Sequence, residues 1–530
     1  MYSIRSIVAA IVLLCSFAAF AQQPEGVLKV VAKKDKIEVT VARAPSPIRI
    51  VELQPYEATQ SAVEKNAVTE IKKNGRKTVS IPRFDGKRDR IYSAFVAVSD
   101  NRPLGAKHFV EEWKGVSQFT EPYPKSKSKK GLQVQMVDDA IALGTKHAGL
   151  NLNFGTIISL KPESNDIAWE MDGRTFYFRR GAVEQTDQRI KTLSDDGMIV
   201  SLILLYYKNP DPELNKIMLH PNYDNAAPNH LSAFNTKTPE GLAWYKACME
   251  FIAHRYSQPD ERYGRAVNFI VGNEVNSHWF WANMGRVSME DFARDYARTT
   301  RVSHTALRKF SSTGRVFISL EHHWAERYPG GDAMQAFPSK PFMDFFGMLS
   351  KTYGDFDWHV AFHPYPENLF ESRTWNDKSA LMSFDSPRIT FKNIEVLPEY
   401  MKRRELLHNG KQRRIILSEQ GFHSNENEEG ELWQAAAYCY AYYKIDRIDG
   451  IDSFILHRHV DHGREGGLNL GLWRRNKETI TEPSTKKPSY EVFRKADTPE
   501  WEKAFEFALP VIGIKSWKEI EPKKFKGGTP

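Results

Sequence analysis

Cysteine is scarce in this chain, with three in 530 residues. Cys15 lies in the first apolar run, and Leu14 stands before it where a lipoprotein site has a small residue, so we expect no lipid anchor. Cys248 and Cys439 lie in segments whose apolar residues recur at helical spacing. We expect both to be buried thiols and predict no disulfide framework.

Long apolar runs are also lacking after residue 20, so we predict no stable membrane insertion. The run from Ile7 to Phe20 is shorter than a membrane span and ends in Ala19-Phe20-Ala21, a small-residue cleavage pattern. Residues 1–21 are therefore predicted to be a Sec-type signal peptide that is cleaved after Ala21. The mature protein is then expected to be periplasmic or secreted.

The net charge of +8 is unevenly distributed along the chain. The basic excess lies in residues 22–130 and in the last twenty residues, whereas residues 131–510 are slightly acidic. A basic protein can bind nucleic acid or another anionic polymer. Because the excess lies outside the central region, we predict no nucleic-acid partner. A solvated surface explains the excess, with attraction of an acidic glycan to the N-terminal region as the alternative.

Residues 22–120 alternate short apolar stretches with proline and glycine, which is typical of antiparallel strands and turns. This pattern predicts a small all-β sandwich domain. The basic segment 121–130 is then a linker, and residues 511–530 form a basic C-terminal tail. The predicted strands of the sandwich are Val27–Val31, Ile37–Val41, Ile48–Leu53, Lys77–Ile81 and Ile91–Val98.

From residue 131 the pattern changes to alternating strands and amphipathic helices, which is typical of a parallel sheet. Eight such units are what a closed (β/α)8 TIM barrel requires. We predict a barrel over residues 131–510. Its strands are predicted at Gly131–Met136, Ala148–Phe154, Met198–Tyr206, Asn268–Asn273, Arg315–Leu320, Asp357–Phe362, Arg413–Ser418 and Gly450–Leu456.

Two of the predicted strands end in a glutamate, Glu274 after the fourth and Glu419 after the seventh. The C-terminal ends of the strands form the active-site face of such a barrel. A pair of carboxylates at this face is the equipment of a retaining glycosidase. Because two carboxylates that lie close together do not easily both ionise, one of them is expected to hold a proton.

With Asn273-Glu274 after strand four and Glu419 after strand seven, residues 131 to about 500 resemble the clan A glycoside hydrolases. The resemblance implies that Glu274 is the acid/base and Glu419 the nucleophile. It also implies that Asn273 hydrogen-bonds the sugar hydroxyl next to the anomeric carbon. The whole chain further resembles a secreted bacterial family of unknown function, which indicates no substrate.

Other strand ends carry polar and aromatic side chains that suit hydroxyl recognition and stacking on a sugar. An ordinary structural role is the alternative for each of them, and only their concentration at one end of the barrel favours binding. The predicted substrate-binding residues, besides Asn273, are Asn151, Asn153, Trp279, His322, Trp324, His363, Tyr365, His457 and Arg458.

Potential metal ligands occur close together in two parts of the sequence: Glu321, His322, His323, His457, His459, Asp461 and His462. Adjacent histidines on a strand point to opposite faces, and no H-E-x-x-H motif occurs. His457 and His459 share a face, but a third ligand would have to come from elsewhere. We therefore predict neither a metal nor another cofactor.

The sequence as a whole predicts an exported retaining glycoside hydrolase that acts on a polysaccharide or oligosaccharide. Two alternatives remain open at this point. One is a carbohydrate-binding protein that keeps the barrel without catalysis, and the other is an envelope-associated structural or adhesion protein. The sequence does not define the sugar, the linkage, the mode of attack or any protein partner.

Overall fold

The structure is a computed structural model that describes residues 25–42, 47–72 and 77–522. The predicted signal peptide and the last eight residues of the basic tail lie outside these ranges. Within the described chain, no helix combines the length and the apolar character needed to cross a membrane.

The N-terminal region folds into two four-stranded sheets and a short hairpin. One sheet has the order β10-β1-β2-β5 and the other the order β4-β3-β8-β9, with only β1 and β10 running parallel. Inward side chains of both sheets, such as Val39 and Ile50, belong to one apolar core. The strands are β1 Val27–Lys33, β2 Lys36–Val41, β3 Ile48–Leu53, β4 Ala67–Ile71, β5 Lys77–Pro82, β6 Phe84–Asp85, β7 Arg88–Asp89, β8 Ala94–Ser99, β9 Arg102–His108 and β10 Glu112–Lys114.

The remaining strands include the eight that close the barrel. They are β11 Lys130–Gln133, β12 His147–Asn153, β13 Ile158–Ser159, β14 Ile167–Met171, β15 Arg174–Phe178, β16 Ile199–Leu205, β17 Ala266–Val271, β18 Arg315–Glu321, β19 Trp358–His363, β20 Ile415–Gln420, β21 Ile451–Leu456, β22 Trp473–Arg475 and β23 Pro483–Lys486.

The α-helices are α1 Val137–Ala142, α2 Phe154–Ile157, α3 Arg180–Asp195, α4 Pro212–Met218, α5 Pro239–Arg255, α6 His278–Trp281, α7 Met289–Phe310, α8 Ser339–Thr352, α9 Val396–Tyr400, α10 Glu428–Asp446, α11 Pro488–Lys495, α12 Trp501–Ala504 and α13 Ala508–Ile512. The longest of these helices, α7, is preceded by Ser288. The Ser288 side chain accepts a hydrogen bond from the Asp291 amide and so caps the helix.

The barrel closes in the order β11-β12-β16-β17-β18-β19-β20-β21, and every neighbouring pair runs parallel. Strands such as Ile199–Leu205 are buried at every position, because a barrel strand is covered by helices outside and by packed side chains inside. The predicted fold class, a (β/α)8 barrel preceded by a small β domain, is confirmed. All eight predicted barrel strands are present, with ends that differ by a few residues.

Buried polar contacts join the N-terminal sheets to the barrel helices. Tyr92 donates a hydrogen bond of 2.7 Å to Glu250 of α5, and Lys309 of α7 lies 3.4 Å from Asp89. Because these groups are buried, losing one partner would leave an unsatisfied polar group. The hairpin strand that ends at Asp89 and the turn that follows it are therefore held against α5 and α7.

Candidate active site

Glu274 and Glu419 meet at the C-terminal ends of their strands. Glu274 follows β17, and Glu419 is the next-to-last residue of β20. One carboxylate oxygen of each, together with one ring nitrogen of His363 at the end of β19, lie within 4.8 Å of one another. The fold thus brings together three side chains that are distant in the sequence.

The backbone at Glu274 has a conformation that side chains other than glycine rarely adopt. Its φ of 41° and ψ of 51° lie in the left-handed region, two residues after Gly272, whose φ is 75°. A non-glycine residue in this region costs on the order of 1–3 kcal/mol, and such residues are concentrated at functional sites. The amide of Glu274 donates a hydrogen bond of 3.0 Å to Ser319 Oγ on β18, which holds the turn in place.

Glu419 is held by two side chains from other strand ends. The hydroxyl of Tyr365 donates to its Oε1 at 3.2 Å, and Gln133 Nε2 donates to its Oε2 at 3.2 Å. Gln133 Oε1 lies 2.7 Å from His457 Nδ1, and His457 Nε2 lies 3.0 Å from Glu465 Oε1. His457 thus connects Gln133 to Glu465 through its two ring nitrogens.

The surroundings shift the pKa values of the two glutamates in opposite directions. Burial raises the pKa of Glu274, and the charges of Glu419 and Glu321 add to this, so the hydrogen bond and charge of His363 do not cancel the rise. Burial also acts to raise the pKa of Glu419. There, however, the charges of His457 and His363 and the Gln133 hydrogen bond prevail, and the pKa is lowered. These surroundings therefore favour the protonated form of Glu274 and the ionised form of Glu419.

A cavity of about 400 Å³ opens over the two carboxylates. Aromatic rings of Trp281, Tyr328 and Tyr365 form part of its wall. The chain from Arg464 to Leu470, which follows β21, closes another side. Polar hydrogen-bonding groups, rings and a confined volume are the usual components of a small-molecule site.

The structure places four of the predicted binding residues around this cavity: Asn273, His322, Tyr365 and His457. His322 Nδ1 lies 3.0 Å from the carbonyl oxygen of Tyr365, to which it donates, and burial lowers the pKa of His322 to about 3. Its ring is therefore neutral, and its Nε2 is an acceptor. His363 lies buried behind the carboxylates, in contact with Glu274.

Asn151 and Arg458 lie at a neighbouring cavity of about 330 Å³. Three other predicted binding residues line neither cavity. The Asn153 side chain accepts from the Gly155 amide at 3.0 Å and caps α2. Trp279 Nε1 donates to Asp224 Oδ2 at 2.9 Å. Trp324 is 0% exposed, and its ring packs edge-on against Tyr400.

Several residues that the structure brings to the site are not among the predicted ones, including Gln133, Trp281, Tyr328 and Glu465. Gln133 is a polar residue at the end of β11, so its position at a strand end was a usable signal. Trp281 and Glu465 lie in connections that follow β17 and β21. No pattern in the sequence indicates which way such connections fold over the barrel.

Among the residues that the structure describes, two groups of side chains have donor atoms close enough to share a metal ion. One is Glu274, His363 and Glu419, and the other is Glu321, His322 and His323. In the second group, both oxygens of Glu321 already accept hydrogen bonds, from Asn276, Ser277 and His323. Burial acts to raise the pKa of Glu321, but the hydrogen bonds and charges around it lower it to about 2. A metal would have to displace these partners, so the donor set is already engaged in a hydrogen-bond network.

No curated protein matches the chain in sequence. Among solved structures, the hyperthermophilic β-glucosidase from Pyrococcus furiosus is 14% identical, with a TM-score of 0.44 over 71% of this chain and 86% of that one. A family 39 glycoside hydrolase from the gut symbiont Bacteroides cellulosilyticus WH2 is 13% identical, with a TM-score of 0.43 over 88% of this chain and 80% of that one. The family 1 β-glucosidase from Thermotoga maritima is 12% identical, with a TM-score of 0.42 over 67% of this chain and 84% of that one.

A family model also matches the sequence. It spans residues 122–520, which include all eight barrel strands and both glutamates. The chain therefore belongs to a family of unknown function, DUF5722.

Proposed function

We propose that the protein is an exported retaining glycoside hydrolase that cleaves O-glycosidic bonds of a polysaccharide or oligosaccharide. The observation that carries this proposal is the pairing of Glu274 and Glu419. Their nearest oxygens lie within 4.8 Å of each other in one cavity, and their pKa values are shifted in opposite directions. Retaining glycosidases have carboxyl groups about 5–5.5 Å apart, whereas inverting ones have them about 6.5–9.5 Å apart.

In the first step, the ionised carboxylate of Glu419 attacks the anomeric carbon, and the bond from that carbon to the leaving oxygen breaks. Glu274 gives its proton to the leaving oxygen, so the aglycone departs as an alcohol and Glu419 carries the sugar as an ester. The hydrogen bonds from Tyr365 and Gln133 orient the Glu419 carboxylate for this attack.

In the second step, Glu274, now ionised, takes a proton from water while the water oxygen attacks the anomeric carbon. The ester bond to Glu419 breaks, and the sugar leaves with its original anomeric configuration. Both glutamates return to their starting protonation states. Water is the only other reactant needed, because Glu274 gives up a proton in the first step and regains one from water in the second.

The cavity walls offer the contacts that a sugar requires. Asn273 and His322 present hydrogen-bonding groups, and the neutral His322 ring offers an acceptor for a hydroxyl. Trp281 and Tyr328 offer faces on which the apolar side of a sugar ring can stack. These groups orient the substrate, while the two glutamates carry out the chemistry.

Export is proposed from the N-terminal sequence. The apolar run from Ile7 to Phe20 and the Ala19-Phe20-Ala21 pattern support a signal peptide cleaved after Ala21. N-terminal sequencing of the protein recovered from the periplasm or medium would test this. A chain that begins at Gln22 is expected, whereas an uncleaved cytoplasmic protein would contradict export.

The catalytic proposal is tested by screening the mature protein against a glycan panel and following the first product by proton NMR. We expect hydrolysis with the anomeric configuration retained, and inversion would contradict the mechanism.

The Glu419→Gln variant is expected to lose activity by about 10⁴-fold or more while it still binds the glycan, because only the nucleophile is removed. Glu213→Gln, at an exposed position on α4, is the matched control with unchanged activity. A carbohydrate-binding protein without catalysis would show no hydrolysis and unchanged binding in both variants.

A further inference from the structure

The second cavity, of about 330 Å³, lies at the ends of β11, β12 and β21, beside the catalytic cavity. Gln133 lines it and also donates to Glu419 Oε2 at 3.2 Å. Arg458 lines it too and is ion-paired with Glu465, a residue of the catalytic cavity wall. Gln133 and the Arg458–Glu465 pair thus join the walls of the two cavities.

The charge of this second cavity is positive. Arg189 of α3 and Arg458 line it together with Asn151, and no carboxylate does so within the described part of the chain. Its remaining polar walls come from neutral amides, the Thr481 hydroxyl and His459. The adjacent catalytic cavity has the opposite character, since Glu274, Glu321, Glu419 and Glu465 all line it.

Both arginines keep donors that no protein group uses. Arg189 makes one hydrogen bond, from Nη2 to the Val134 carbonyl at 2.5 Å, and has no ion-pair partner among the residues described. Arg458 directs Nη1 to Glu465, while its Nε is buried without a hydrogen-bond partner. The half-buried guanidinium of Arg189 thus has no carboxylate partner among the described residues, whereas a charge removed from water is normally paired.

A larger cavity of about 650 Å³ differs because carboxylates line it. Its Arg474, Lys477 and Lys487 are ion-paired, with Glu431, Glu426 and Asp461, and its Arg475 donates to backbone carbonyls. The larger cavity thus has five lining carboxylates against four cationic side chains, which disfavours an anionic ligand. Of these two cavities, only the one that adjoins Glu419 is lined by arginines and by no carboxylate.

We propose that the substrate is an anionic glycan and that the second cavity binds its carboxylate or sulfate-ester group through Arg189 and Arg458. This rests on the proposed glycosidase function and names the substrate class for it. The flat guanidinium presents parallel N–H donors that match the oxygens of either group. The acidic catalytic cavity repels such a group, so the substituted sugar is directed to the neighbouring cavity. The volume is of the order that ligand pockets have, roughly 300–1,000 Å³.

The test measures binding and not turnover, so that it is independent of the hydrolytic activity. Glu419→Gln protein is titrated by calorimetry with matched pairs of oligosaccharides. One set pairs uronic-acid oligosaccharides with their carboxyl-reduced forms, and the other pairs sulfated oligosaccharides with their desulfated forms. In one of the sets we expect the anionic member to bind at least about tenfold more tightly, because one charge-assisted hydrogen bond to a half-buried arginine contributes about that much. The set that shows the difference identifies the substituent.

Adding Arg189→Gln is expected to remove this preference while affinity for the neutral member stays the same. Arg189→Lys keeps the charge and should keep part of the preference, which separates charge recognition from damage to the fold. Arg180→Gln on the same helix, where Arg180 is exposed and paired with Glu184, is the control with unchanged preference. The proposal would be overturned if both members of every pair bound with equal affinity, or if no anionic member bound at all. It would also be overturned if the preference for the anionic member survived Arg189→Gln. Absence of hydrolysis by the wild-type protein, with the binding preference intact, would instead count against the catalytic proposal alone.

Discussion

His363 links Glu274 to the strand that carries Glu419. Its Nδ1 lies 2.9 Å from Glu274 Oε1, and its Nε2 lies 3.0 Å from the hydroxyl of Ser418. Burial acts to lower the pKa of His363, but the hydrogen bond to Glu274 and the charges of both glutamates raise it. Because Glu274, His363 and Glu419 lie close together, the protonation state of each one affects the other two. Their apparent pKa values therefore belong to the three groups jointly.

Replacing His363 should change the protonation of Glu274. The imidazole lowers the pKa of Glu274 by hydrogen bonding and charge, so in His363→Asn that pKa is expected to rise further. A general acid works in its protonated form, and the alkaline limb of kcat/KM should therefore move to higher pH. Ser418→Ala removes the bond on the other side of the ring and should shift this limb less. A limb that stays in place or moves to lower pH in His363→Asn would contradict the assignment.

The wild-type pH profile should be bell-shaped. Glu419 must be ionised, and because its pKa is lowered, activity should decline on the acid side only below the ordinary glutamate value of about 4.3. Glu274 must hold a proton, and because its pKa is raised, activity should persist above that value and fall as the pH rises through the raised pKa. Measuring kcat/KM across the pH range tests both limbs. A profile whose alkaline limb lies at or below about pH 4.3 would exclude Glu274 as the acid.

The Glu274→Gln variant should show a dependence on the leaving group. Without a proton donor, glycosides with poor leaving groups are expected to lose about 10²–10⁴-fold in kcat/KM. Aryl glycosides whose phenolate departs without protonation should lose much less in the step that forms the ester. Rates for a series of aryl leaving groups, measured for the variant and the wild type, provide the check. A uniform loss across the series would indicate a role other than acid catalysis.

Trp324 should affect stability and not substrate affinity. It is 0% exposed, its Nε1 donates to the Phe384 carbonyl at 2.9 Å, and its ring packs against Tyr400. Trp324→Ala is expected to lower the free energy of unfolding by about 3–5 kcal/mol through the cavity it leaves. Trp324→Phe, which keeps most of the ring, should lose less and leave KM unchanged. A raised KM for Trp324→Phe with unchanged unfolding would point to substrate contact instead.

The barrel could be predicted because its strands leave a clear signal. A stretch such as Ile199–Leu205 is apolar at almost every position, since both faces of a parallel strand are buried. Glu274 and Glu419 are conspicuous because each closes such a stretch with a charge. Their strands are the fourth and the seventh of the barrel, and closure of the barrel brings the C-terminal ends of these strands to the same face.

The directions of side chains beyond the strands could not be predicted in the same way. Trp324 follows Glu321, His322 and His323 in the sequence, yet its ring turns into the core because the chain bends after β18. Glu465 reaches His457 only because the long connection after β21 folds back over the cavity. Such positions depend on tertiary packing, which local spacing does not encode.

Covalent trapping identifies the nucleophile chemically. The protein is incubated with a 2-deoxy-2-fluoro glycoside of the sugar that it hydrolyses, activated with a good leaving group, and its peptides are then analysed by mass spectrometry. We predict one fluorosugar per chain, attached to the peptide that contains Glu419, and no label in Glu419→Gln. A label on another residue, or an unlabelled enzyme that releases the inverted sugar, would show that Glu419 is not the nucleophile.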